Sequence, residues 1–479
     1  MWRSISPSQA RRGIAPARCA SEVDGKGGEK KVVLGFGSVC VDYLAQVAHF
    51  PAPDEKMRTE TMQMQGGGNV GNALTGACKL GLRARLMSKI GNDGVGQSIV
   101  EELRAAGVET PFLIVQEGAP SPFTYVIVDR EGASRTCIHT PGPPLMPEEL
   151  DPKTIESVLE GVALVYFDGR LTEAALELMK AAKRKKIPTL VEAERLRPNL
   201  EELLEQADYV FTSAQFPIQW TGEEVLGEAL LATAARLPEA KFILSTLGSK
   251  GSVMLDRPDD LSWSTSSIAK LKKKARELKV SMADVVAAAL PDMPSTPIHK
   301  LLSEMMENRG TVDAVYSSET AQSLVGADSI GQKDTKVALG TAPSTSSFFK
   351  LEVREPTASR LQRRKDAARG EATANADAGS EGSYSSDKEK RGRWDLQAGD
   401  WVCGRLIYCP AAELPVDAVV DTTGAGDAFM ASVLYGLVSG LEYEKMMALG
   451  SVVAAIKCGG LGARSALPSK EDVHHRLLQ

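Results

Sequence analysis

Residues 421–429 read Asp421-Thr422-Thr423-Gly424-Ala425-Gly426-Asp427-Ala428-Phe429, and this string decides the fold. An apolar triplet at 418–420, predicted as a strand, precedes it. After it comes a run with apolar residues at helical spacing: Ala428, Val433, Leu434, Leu437 and Val438. The two glycines let the backbone come close to a ligand. The first N–H groups of the helix have no internal partner, and the helix dipole favours negative charge there. The string therefore predicts an anion hole of backbone at Gly424, Ala425 and Gly426. Asp427 stands beside that anion, where a carboxylate takes the proton of an attacking hydroxyl. An anion hole with an adjacent base is what phosphoryl transfer to an alcohol requires. Without a ligand, the same string reads as a Gly-rich turn capped by Asp421 or Asp427.

Outward from this string, strands alternate with helices. Strands are predicted at 31–36 and 39–47, at 84–91, and at 123–129 paired with 135–140 around a turn at Glu131-Gly132. Further strands fall at 162–169, 187–194, 207–213, 241–248 and 251–256. Helices are predicted at 71–82, closed by Gly81, at 95–110, closed by Gly107, and at 171–186. Such alternation predicts a mostly parallel sheet covered on both faces.

The order breaks at about Arg257. Residues 266–290 and 298–308 fit amphipathic helices, and residues 355–393 almost lack large apolar side chains, which predicts disorder. The strands at 251–256 and 405–411 read as two arms of one hairpin whose tip holds the whole insertion. The predicted organisation is a leader at 1–30, a domain formed by 31–256 and 401–479, and an insertion at 257–400.

Composition narrows the functions. Over 479 residues, 43% are hydrophobic and 25% charged, as in soluble globular proteins. Lys plus Arg number 56 against 62 Asp plus Glu, a net charge of −6 that gives no support for a nucleic-acid partner. The run at 270–274 with four Lys reads as a solvated helix face. No apolar run is long enough for a membrane span. The seven Cys are odd in number and form no CxxC, so reduced thiols are expected, and the five His show no zinc-site spacing. Arg3, Arg11, Arg12 and Arg18, with Ser and no acid before Glu22, suit a chloroplast or mitochondrion transit peptide; a meaningless disordered leader is the other reading.

The string at 421–429 resembles the C-terminal signature of the PfkB (ribokinase-like) family of carbohydrate and nucleoside kinases. The resemblance extends along 32–256 and 402–468. Gly66-Gly67-Gly68-Asn69-Val70-Gly71-Asn72-Ala73 resembles the family's N-terminal signature, and Gly37-Ser38-Val39-Cys40-Val41-Asp42 the strand whose Asp holds sugar hydroxyls. Residues 91–96 resemble G-x-D-x-x-G, and Thr246-Leu247-Gly248-Ser249-Lys250-Gly251 the nucleotide motif T-x-G-x-x-G. The resemblance implies a ribokinase-like three-layer α/β/α fold, with a mostly parallel central sheet and a small β lid from the strands at 123–138. It implies Asp427 as the base, the N–H groups of 424–426 on the transferring phosphoryl group, and Asp42, Gly67, Gly68 and Asn72 on the acceptor. Thr246, Gly248 and Gly251 would line the ATP site, with Mg²⁺ as cofactor. Asp421 and Thr423 resemble positions that bind a monovalent cation such as K⁺; a simple turn cap is the equal alternative. Partners implied are a small sugar or nucleoside and a second copy of the chain as a homodimer.

One departure stands out. The family's N-x-x-E, tied to Mg²⁺ and phosphate, is replaced by Ser213 and Phe216, with Glu192 or Glu194 as candidates to compensate. The strand Asn of relatives is replaced by Cys40. Two readings follow: a sugar kinase of ribokinase or fructokinase type, with a nucleoside kinase as its variant, or a non-catalytic scaffold on the same fold that acts through the insertion.

Overall fold

The computed structural model describes residues 31–132, 134–257, 345–352, 401–414 and 418–479. The leader and most of the insertion, with its two expected helices and its expected disordered stretch, lie outside the described residues. In chain order the first strands are β1 (Val32–Phe36), β2 (Cys40–Val47), β3 (Thr61–Gly67), β4 (Arg83–Gly91), β5 (Glu109–Gln116), β6 (Phe123–Asp129) and β7 (Ser134–Thr140). There follow β8 (Val162–Phe167), β9 (Thr189–Ala193), β10 (Tyr209–Ser213), β11 (Phe242–Thr246), β12 (Ser252–Asp256), β13 (Thr345–Glu352) and β14 (Trp401–Cys409). The helices are α1 (Asn69–Lys79), α2 (Gly94–Ala105), α3 (Pro152–Val158), α4 (Thr172–Arg184), α5 (Leu200–Leu204), α6 (Gln215–Thr221) and α7 (Leu226–Arg236). The last two are α8 (Ala425–Ser439) and α9 (Tyr443–Cys458).

Ten strands form one sheet, ordered β13-β14-β12-β11-β10-β9-β8-β1-β4-β5. From β11 to β5 every neighbour is parallel; β12, β14 and β13 add an antiparallel edge. The parallel strands are apolar throughout because both faces are covered. On β1, Val32, Leu34 and Phe36 pack with α4, α5 and α7, while Val33 packs with α1, α2 and α8. This is the expected three-layer arrangement. The expected hairpin is also present: Ser252 pairs with Cys409 and Asp256 with Arg405. The insertion is not confined to the tip, because β13 returns from it to pair along β14.

A second sheet, β3-β2-β6-β7, stands apart from the first. One face presents Met62, Met64, Tyr125 and Ile138 to solvent. The other carries a cross-strand row, Gln65, Asp42, Thr124 and His139, fixed by the pairing register. Asp93 clamps this sheet to the body. It caps α2 at the Gly96 N–H (2.8 Å) and also accepts the Ser121 N–H (2.9 Å) just before β6.

The strand expected at 418–420 does not form. Val419 and Val420 are exposed, and the Val420 N–H is held by the Cys458 carbonyl at the end of α9 (2.8 Å) instead of by a strand. Val419 lines a cavity, and the triplet pairs with no strand.

Candidate active site

The site gathers where α1 and α8 begin, between the C-terminal ends of the parallel strands and the inner row of the small sheet. That crevice is where open α/β sheets bind ligands. Asp427 is the third residue of α8. Its Oδ2 accepts from Asn72 Nδ2 at 2.8 Å. Arg464 Nε in turn donates to Asn72 Oδ1 at 2.8 Å, while its Nη2 donates to the Gly67 carbonyl (2.9 Å) and its Nη1 to Glu102 (3.0 Å). One buried guanidinium thus ties the glycine turn at 66–68, Asn72 and Asp427 into a single unit. Burial pushes the Asp427 carboxyl up to about 7; the Asn72 amide opposes this by favouring the charged form, and the charge of Glu194 adds to the rise. Burial also raises the Glu192 carboxyl, with the charge of Asp427 second; Glu192 is held by the Tyr166 hydroxyl and by Asn69 Nδ2.

Asp42 lies on β2 facing this unit, with its pKa raised by burial and its Oδ1 receiving the Cys40 thiol at 3.3 Å. Gly67 faces it: a Cβ there would run into the Asp42 carboxylate. Gly68 has φ 84°, and a Cβ there would stand 2.6 Å from the Ser38 carbonyl. Both glycines are demanded by space, and Asp42, Gly67, Gly68 and Asn72 come together as one polar concavity.

At the start of α8, Gly424 takes φ 76°, and a Cβ there would meet Ala463 at 2.6 Å. The Ala425 N–H is spent on the Thr422 carbonyl at 3.2 Å. Among the described residues the N–H groups of Gly426 and Asp427 have no backbone acceptor, and open space surrounds Gly426. Of the three N–H groups expected to form an anion hole, that of Ala425 is therefore spent, while among the described residues those of Gly424 and Gly426 have no backbone acceptor.

On the far side of α8 lies a cavity of 570 Å³. Thr246, Gly248 and Gly251 line one wall; Ala425, Gly426 and Thr422 form the end nearest Asp427; Phe429, Ala455 and Cys458 are among its apolar lining. Asp421 and Thr423 hydrogen-bond each other: Asp421 Oδ1 accepts the Thr423 N–H (2.9 Å) and O–H (2.7 Å), and Oδ2 accepts the Gly462 N–H (2.7 Å). Beside them the buried Lys457 ammonium donates to the Asp421 and Gly460 carbonyls at 2.8 and 3.3 Å. Ser213 and Phe216 play a structural part. The Ser213 hydroxyl donates to the Glu194 carbonyl and accepts the Phe216 N–H, while the Phe216 ring is buried in the core.

Four participants were not assigned a role from sequence. Arg464 and Arg170 act through long-range contacts; Arg170 reaches both Asn69 (3.2 Å) and Glu194 (3.0 Å). Asp168 accepts the Ser38 N–H and O–H (2.7 and 2.6 Å), and Arg135 of the small sheet reaches Thr422. Only Asp168 left a sequence signal, a lone acid at the end of a buried strand.

Fold and site together define an α/β carbohydrate kinase, a phosphotransferase with an alcohol acceptor. The family model described as pfkB family carbohydrate kinase matches residues 30–274 and 400–470, and the chain belongs to that family. Mouse ketohexokinase is 24% identical over 233 residues, 47% of this chain and 76% of its own length. Mouse ribokinase is 24% identical over 236 residues, 48% of this chain and 73% of its own. The match to the bifunctional ribokinase/ribose-5-phosphate isomerase A of Fructilactobacillus sanfranciscensis is 26% identical and spans 43% of that protein. Among solved structures, Arabidopsis thaliana ribokinase complexed with ribose and ATP superposes with a TM-score of 0.55 at 16% identity, covering 94% of this chain and 99% of that one. The small second sheet is consistent with a lid.

Proposed function

We propose that the protein transfers the γ-phosphoryl group of ATP to a hydroxyl of a small sugar. The observation that carries this is the position of Asp427. It stands between the polar concavity of Asp42 and Asn72 and the cavity beside Gly248 and Gly251, next to two unengaged N–H groups. The acceptor is held by Asp42 and Asn72. Asp427 takes the proton of its reacting hydroxyl as the oxygen attacks phosphorus. The N–H groups of Gly426 and Asp427 receive the charge of the transferring group. The lid covers the acceptor and keeps water out.

Mg²⁺ fits the mode in which ATP phosphates and water supply most of its coordination, with Glu194 the half-buried carboxylate nearby. It would neutralise phosphate charge. Among the described residues, no group of three or more His, Cys, Asp or Glu is placed to hold a metal ion. A monovalent cation does not fit beside Asp421: its carboxylate already accepts three hydrogen bonds, and the Lys457 ammonium supplies the local positive charge.

The exposed apolar row of the lid supports a homodimer formed through that face. Tyr125→Lys is expected to yield monomers in sedimentation; an unchanged dimer places the interface elsewhere.

The substrate assignment is tested by incubating the full chain with Mg²⁺ and ATP and a panel of pentoses, ketohexoses and nucleosides. A phosphate ester of one sugar, identified by phosphorus NMR, is the expected product. An ester formed only from nucleosides replaces sugar by nucleoside.

A further inference from the structure

Lys457 stands in the last turn of α9 and is 0% exposed. A wholly buried ammonium is costly unless its donors are met and its charge is opposed. Its Nζ donates to the Asp421 carbonyl at 2.8 Å and to the Gly460 carbonyl at 3.3 Å. The contact with Gly460 is local, a common way for a lysine to close a helix C-terminus. The shorter contact is not local: it spans 36 residues, back to the turn that leads into α8. Three further hydrogen bonds lace the same two segments together. The Val420 and Asp421 N–H groups donate to the Cys458 carbonyl (2.8 and 3.2 Å), and the Asp421 carboxylate accepts the Gly462 N–H (2.7 Å). The two turns also touch, since a Cβ on Gly424 would meet Ala463 at 2.6 Å. The ammonium therefore joins the turn at 421–424 to the turn at 459–462, next to the N-terminus of α8.

The surroundings of this ammonium suit a small monovalent cation. Two carbonyl oxygens converge on it, and the negative end of the α9 dipole is adjacent. Burial lowers the Lys457 pKa; the charges of Asp421, Cys458 and Asp427 oppose that fall, and the charge of Arg135 adds to it. An ammonium and a potassium ion are close in size, carry the same charge and take the same oxygen ligands. The covalent stem of Lys457 delivers such a charge at no cost in binding entropy.

We propose that Lys457 is a positioning residue that serves as a built-in monovalent cation. It holds the turn at 421–424 so that the N–H groups at the start of α8 meet the transferring phosphoryl group, and the reaction needs no free K⁺. This rests on the reading of the site as an ATP-dependent kinase. Lys457 touches no reacting atom; it acts through the Asp421 carbonyl and the backbone that follows.

The test assays the full-length chain with Mg²⁺, ATP and the best sugar acceptor in the chlorides of K⁺, Na⁺ and choline at equal ionic strength. The wild type is expected to keep nearly the same kcat in all three. Lys457→Ala is expected to lose about a hundredfold in kcat in choline, the usual effect of a small misplacement, with the KM for sugar nearly unchanged. Addition of K⁺ or methylammonium is expected to restore most of that loss. Lys457→Met fills the space of the stem without its charge, and is expected to be as slow and to respond to neither cation. A wild type that depends on K⁺ overturns the proposal, and so does a folded Lys457→Ala that no cation rescues. Melting curves in choline and in K⁺ show which variants are folded; if neither is, the salt dependence of the wild type decides. If the wild type phosphorylates nothing in the acceptor panel, the kinase reading fails. Calorimetric titration of ATP then decides about Lys457: tighter binding in K⁺ than in choline for Lys457→Ala, but not for the wild type, supports the built-in cation, and equal binding in both salts overturns it.

Discussion

At the scale of single residues, the account turns on the proton of one carboxyl. Asp427 serves as a base only when ionised. Burial holds its pKa at about 7, so kcat/KM is expected to fall as pH drops through neutrality. Asn72 donates to the charged form and so pulls that pKa down. Asn72→Leu removes the donor, and the acid limb of the pH profile is expected to move to higher pH. A limb that stays in place, or moves to lower pH, breaks the link between the two residues. Gly424 offers a second test. Its φ of 76° and the 2.6 Å approach to Ala463 leave no room for a Cβ. Gly424→Ala should cost about 1–2 kcal/mol from the left-handed backbone alone, read as a lower urea midpoint, and displace the N–H groups that follow. Asp427, Asn72, Asp42 and the glycines were legible in the sequence because each belongs to a short string. Arg464 was not: its partner Asn72 is 392 residues away, and local spacing carries no trace of such a contact.

At the scale of elements, alternation of strand and helix was enough to place the central sheet, and the hairpin across the insertion followed from two apolar runs on either side of the break in texture. The failures have physical causes. The apolar triplet at 418–420 had the composition of a strand but no neighbour to pair with. The return of β13 to the edge of β14 was invisible because edge pairing depends on which edge is left open, a property of the assembled sheet. Replacing residues 258–403 by a short turn should therefore keep the β12–β14 hairpin but uncover the β14 edge. A lower melting temperature with increased light scattering is expected; unchanged melting would show that β13 contributes nothing. Asp93 holds α2 and the approach to β6 together. Asp93→Ala should cost about 1–2 kcal/mol in urea unfolding, the usual worth of a helix cap plus a second lost hydrogen bond.

At the scale of the whole molecule, the site belongs to no single element. The sheet supplies a rigid rim, α1 and α8 bring their N-termini to it, and the small sheet brings Asp42 against Gly67 and Arg135 to Thr422. The order of the motifs along the chain was readable, but their convergence was not, since it depends on crossovers that bring residues 66–72 and 421–427 onto one face of the sheet. In the proposed reaction Asp427 is the one group shared by acceptor and donor. The most direct test of that claim is ADP release from MgATP with the best sugar acceptor, wild type against Asp427→Asn, with ATP affinity measured on both. Loss of sugar-dependent ADP release in the variant, by a thousandfold or about that for removal of a positioned base, with ATP still bound, is the result the account predicts. Turnover in Asp427→Asn close to that of the wild type would contradict it.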